Sequence, residues 1–119
     1  MKYMLLLNRT TDTLPEPGTA EFDQMMQAYG AALEALSKAG VLIDCAPLAA
    51  RSSATTVRVR DDETILVDGP SAEIKEQLGG YTIVECADLD EALKWAAMMP
   101  AARDASVEVR PIVAMPGPA

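Results

Sequence analysis

Two helical stripes set among runs of strand sequence restrict this chain more than any other feature. Over residues 21–39 the apolar positions Phe22, Met25, Met26, Tyr29, Leu33 and Leu36 recur at three- and four-residue steps, the spacing of one helix face. Gly40 follows, where a C-terminal cap belongs. The second stripe, Leu89, Ala92, Leu93, Ala96 and Met99, begins at Asp88, an N-cap with Glu91 three residues on, and ends before Pro100. Strand patterns at 2–8, 41–50, 54–60, 64–68, 81–87 and 107–113 surround both helices, and Pro111 argues for an edge position or a bulge in the last. Strands 54–60 and 64–68 form a hairpin, with Arg58 and Arg60 on its wet face. Without that hairpin the order is strand, helix, strand, strand, helix, strand. This is the ferredoxin-like α+β arrangement, with two helices on one face of an antiparallel sheet. Met4 to Leu7 and Ile83-Val84 place apolar side chains on both sheet faces, so the second face needs cover. A homodimer paired through that face is the simplest cover. Gly30, inside the first helix, marks either a close approach of another element or tolerated drift.

With 119 residues, residues 1–119 form one domain, and the Pro-Gly tail 114–119 is expected to fray. A net charge of -8 disfavours nucleic acid and anionic membranes as partners, leaving small molecules or a second copy of the chain. The apolar run 3–7 is too short for a signal-peptide core or a membrane span, so a cytoplasmic protein is expected. Cys45 and Cys86 lie far apart in a chain without histidine, so zinc spacings are absent and no metal or cofactor is expected. Both cysteines read as buried thiols.

The candidate site lies in the loop DGPSAEIKEQLGGY, residues 68–81, between two strands. Asp68 at its mouth is the candidate acid or base, with Tyr29 as its hydrogen-bonding partner. Arg58 is placed to pair with an anionic ligand, and Glu73 and Tyr81 complete the candidate ligand contacts. Each has a plainer reading. Asp68 caps its own turn, Arg58 lies on a solvated strand, Tyr29 belongs to the buried stripe, and Glu73, Lys75 and Glu76 form a salt-bridged, solvated helical turn. Gly79-Gly80 serves strand entry, because no helix N-terminus follows to receive a phosphate.

The residues Asp68-Gly69-Pro70, Leu78-Gly79-Gly80-Tyr81, the DLDEAL helix start, Trp95-Ala96 and Val107-Glu108-Val109-Arg110-Pro111 keep an order and spacing that cover nearly the whole chain. They resemble the DGPF branch of the YCII-related domain family. The resemblance implies a ferredoxin-like domain that pairs into a dimeric α/β barrel. The broader family carries a histidine and an aspartate that suggest enzymatic activity. Their positions fall on Tyr29 and Asp68 here, and Ser71 stands where the branch's name expects Phe. A chain without histidine has no His-Asp proton relay. Two functions follow: a metal-independent acid/base enzyme of lyase, isomerase or hydrolase type, or a non-catalytic ligand-binding or regulatory module linked to a sigma factor.

Overall fold

Leu5 and Val84, both without solvent exposure, sit on adjacent strands at the middle of the sheet, and the rest of the fold is arranged around them. A computed structural model of the chain describes residues 1–10, 15–71 and 75–117. The elements in chain order are β1 (Lys2–Arg9), α1 (Ala20–Lys38), β2 (Leu42–Pro47), β3 (Thr55–Arg60), β4 (Glu63–Asp68), β5 (Gln77–Glu85), α2 (Leu89–Ala97), α3 (Ala101–Asp104) and β6 (Val107–Pro111). The main sheet is antiparallel in the order β2-β5-β1-β6, while β3 and β4 pair only with each other. The mixed α+β architecture is consistent with the ferredoxin-like expectation. Among the described residues no helix is long and apolar enough to cross a membrane.

Local chemistry explains the helix ends. The Thr19 hydroxyl accepts the Phe22 amide at 3.2 Å and so caps α1. At the other end Gly40 adopts φ 74, donates to the Ser37 carbonyl, and lets the Val41 amide reach the Leu36 carbonyl. Those paired bonds, with buried Leu36 and Val41 in apolar contact range, are the Schellman arrangement. Asp88 caps α2 as expected, its carboxylate accepting the Glu91 amide at 3.0 Å. Glu91 reaches back to the Ala87 amide and also accepts the Trp95 indole N–H.

The burial of the helices corrects the stripe reading. The faces against the sheet are built from Ala32 and Leu36 of α1 and Ala92 and Ala96 of α2, with Met99 beyond. Met26, Leu89 and Leu93 are about half exposed instead of buried. Small alanines let the helices approach the strands closely, which leaves the larger neighbours at the flanks. α2 ends at Ala97, and Pro100 opens α3 instead of terminating the second helix. Of the thiols, Cys86 is buried and Cys45 half-buried, and both are free.

The glycines divide sharply. Gly30 is exposed with open space where a Cβ would stand, so no element approaches it closely. Gly79 and Gly80 are buried inside β5, which starts at Gln77 and not at Tyr81. A Cβ on Gly80 would lie 2.9 Å from the Ala46 carbonyl oxygen of β2, and one on Gly79 would collide with the Arg9 guanidinium. At the sheet's two edges the Leu48 amide donates inward to Gly79 and the Ile112 amide inward to Lys2, each just past a proline, Pro47 or Pro111.

Tyr3, Leu5, Leu7, Thr82 and Val84 face the helices and are buried. Met4, Leu6, Tyr81 and Ile83 alternate onto the opposite face, which no helix covers. The hairpin turns tightly at Asp61-Asp62, both with positive φ (51 and 63), the mirror-image turn that suits strand twist. Every residue of β4 is exposed.

Two glycine substitutions should move stability in opposite directions in urea denaturation. Gly30→Ala should add about 0.5–1 kcal/mol by removing backbone entropy from the unfolded chain, whereas Gly80→Ala should cost about 1–3 kcal/mol through backbone overpacking.

Candidate functional site

At the end of β1 the register slips between Leu7 and Asn8, leaving Gly79 of β5 unpaired with β1, and ordinary strand alternation turns Asn8 and Arg9 toward different neighbours. Arg9 donates to the Leu48 carbonyl at 2.9 Å and the Gly79 carbonyl at 2.6 Å, joining the chain after β2 to β5. Both bonds come from Nη2, and Nη1 is buried without a hydrogen-bond partner among the described residues. Gly79 is required here because the guanidinium occupies the space of its missing side chain.

Asn8 begins a hydrogen-bonded chain of three side chains. Its amide donates to the Ser106 hydroxyl at 3.1 Å, and that hydroxyl donates to the Glu76 carboxylate at 2.7 Å. The Asn8 backbone amide also donates to the Ser106 carbonyl at 3.0 Å, which fixes β1 against the segment before β6. Leu6, Asn8, Glu76, Leu78, Ser106 and Glu108 line an open cleft of about 530 Å³ at this end of the uncovered face. Glu76 is half-buried there, and the chain at 75–76 is a bend and not the solvated helical turn expected from sequence. Sequence reasoning missed this group because its members come from three distant segments with no shared motif.

The candidates named from sequence are dispersed. Asp68 is exposed on the hairpin opposite Thr55. Its turn is held by other groups: the Gly69 amide donates to the Ala54 carbonyl and the Thr56 hydroxyl to the Gly69 carbonyl, both at 2.7 Å. The Asp68 carboxylate has no hydrogen bond among the described residues, so the turn-cap reading finds no bond to support it. Arg58 is exposed opposite Ile65. Glu73 lies outside the described residues. Tyr81 is half-buried on the uncovered face and donates to Asp44 at 3.2 Å. Tyr29 packs beside the core. No hydrogen bond or ion pair among the described residues joins Asp68 to Tyr29 or Arg58.

The phenols carry the clearest electrostatic signatures. Burial, then the charge of Asp104, pushes the Tyr29 hydroxyl above its ordinary value, while Arg9 and the Ala101 amide act in the opposite direction. Tyr81 is raised first by its hydrogen bond to Asp44 and then by that carboxylate's charge. Both are therefore held neutral, as hydrogen-bond donors.

The chain matches the YCII-related domain over residues 1–116. The chain belongs to that family. An uncharacterised protein of Rhizobium meliloti (strain 1021), R00369, is 40% identical over 114 residues, which cover 94% of this YCII-related chain and 92% of the relative. Among solved structures, the 5-chloro-2-hydroxyhydroquinone dehydrochlorinase TftG from Burkholderia phenoliruptrix AC1100, in complex with 2,5-dihydroxybenzoquinone, superposes with a TM-score of 0.50. That comparison covers 95% of this YCII-related domain and 94% of TftG at 17% identity, so it establishes a shared fold.

The raised phenols fix a pH dependence. A group whose folded value lies above its unfolded one gives its full stability below the unfolded value, here 10.0, and loses it as pH rises through the folded value. The contribution of Tyr29 and Tyr81 should thus be fully present and independent of pH near neutrality, and stability should fall above about pH 10. Urea unfolding along an alkaline pH series should show a smaller fall for Tyr29→Phe and for Asp44→Asn.

Proposed function

We propose that this protein, as a member of the DGPF branch, acts as a homodimer paired through the uncovered sheet face. It binds a small polar or aromatic molecule and moves a proton at a carboxylate, with no metal required. The observation that carries this reading is the Glu76 carboxylate held 2.7 Å from the Ser106 hydroxyl inside an open cleft. Ser106, itself oriented by Asn8, fixes one carboxylate oxygen and leaves the other to take a proton from bound substrate. Leu6 and Leu78 supply an apolar wall, the mixture of surfaces that suits a ring bearing hydroxyl or carboxyl groups. The dehydrochlorinase supports the reading from the side of the fold, because it was solved in complex with 2,5-dihydroxybenzoquinone. Asp68 is the second candidate acid or base, with Tyr29 and Tyr81 as neutral donors and Arg58 as the cation for an anionic ligand.

A thermal-shift panel of phenols, small carboxylates and enols, run on wild type, Glu76→Gln and Asp68→Asn, tests the assignment. A ligand at a hundred times its dissociation constant stabilises a protein by about 2.7 kcal/mol. The expected result is a wild-type shift that Glu76→Gln abolishes, followed by turnover of that compound. A shift lost only in Asp68→Asn moves the chemistry to the hairpin. A panel without any shift removes the enzyme reading in favour of a regulatory module linked to a sigma factor.

A further inference from the structure

The β3–β4 hairpin exposes more apolar surface than an isolated two-stranded ribbon can sustain. Val57, Val59, Ile65, Leu66 and Val67 are 59%, 56%, 41%, 65% and 47% exposed. A free two-stranded hairpin is at best marginally stable in water. Cross-strand register puts Val57 opposite Leu66, Val59 opposite Thr64 and Thr55 opposite Asp68, so these six side chains share one face, with Asp68 at its base. The whole molecule is correspondingly open. Its radius of gyration is 16.4 Å, against about 13.5 Å for a compact domain of this length. Its accessible surface is 8265 Å², against about 6200 Å² for a compact monomer of this size. The surplus, on the order of 2000 Å², matches what one protomer loses in a large permanent interface.

We infer that the β3–β4 hairpin is an exchange arm whose Val57, Leu66 and Asp68 face lies on a second copy of this chain, so that each copy lends Asp68 to its partner's site. The inference rests on the homodimer reading and adds the arm to it. The same chain offers both surfaces such an exchange needs, the apolar arm and the uncovered sheet face with half-buried Met4, Leu6 and Ile83. Charge narrows the choice of occupant. Arg58 and Arg60 stand on the other face of the hairpin, with Ile65 and Glu63, so they do not interrupt the Val57, Leu66 and Asp68 surface. The net charge of -8 opposes nucleic acid and anionic lipid as occupants. In this arrangement the Asp68 carboxylate, exposed and without a side-chain hydrogen bond to a described residue, faces the partner.

Sedimentation equilibrium of wild type and the double variant Val57→Thr, Leu66→Thr tests the arm. Both threonines keep strand propensity and touch no core residue, so the variant should show wild-type circular dichroism. The expected result is a wild-type dimer whose dissociation constant rises at least a hundredfold in the variant. A dimer of unchanged affinity overturns the arm and leaves the sheet-face pairing standing, and a monomeric wild type overturns both. Hydrogen exchange of the β3 and β4 amides supplies a readout without mutation. Protection that grows as protein concentration crosses the dissociation constant supports the arm, and free exchange within the dimer overturns it.

Discussion

A single layer of helices over a four-stranded sheet shelters one face and leaves the other without a helix among the described residues. In this protein the sheltered face closes tightly because alanines, and not leucines, meet the strands. Ala32, Ala92 and Ala96 bring the helix axes close, Leu36 and Met99 fill what remains, and Leu5 and Val84 lose all contact with water. The bare face has the opposite character. Its apolar residues are half-buried and interleaved with Asp44, Glu85, Glu108 and Arg110.

Arg9 connects that architecture to chemistry. A guanidinium at the end of the central strand ties two carbonyls from different segments, occupies the notch left by Gly79, and places a positive charge beside the Tyr29 phenol. One residue later in space, the Asn8–Ser106–Glu76 chain holds a carboxylate at the rim of the cleft. Strand alternation sends the adjacent Asn8 and Arg9 side chains to different tasks, just past the register slip at Leu7. Irregular pairing therefore sits where the polar groups gather.

Local signals in the sequence translated directly. Asp88 and Gly40 act through atoms within a few residues of themselves, so the cap and the Schellman turn were legible, and so was the edge position of Pro111. Hydrophobicity misled where size decided: Leu89 and Leu93 outrank alanine on any apolar scale, yet alanine is what fits against the sheet. The Thr19 cap follows two prolines, Pro15 and Pro17, and a glycine that obscure where the helix begins. Glu76 was discounted because its surroundings looked solvated, and nothing near it in sequence announces Ser106 or Asn8. Asp68 stood out as a residue, but its own chain gives it no described partner, so its role depends on contacts that sequence spacing does not encode.

The prolines at the sheet's margins have one more consequence. Because Leu48 and Ile112 turn their amides inward, the preceding Pro47 and Pro111 occupy the positions whose amides would point outward, and proline has none to offer. Each rim thus lacks a donor where a foreign strand would try to zip on, a built-in guard against runaway fibre-like growth. With lateral pairing discouraged at both margins, the apolar surface that stays exposed lies on broad faces and not on strand edges.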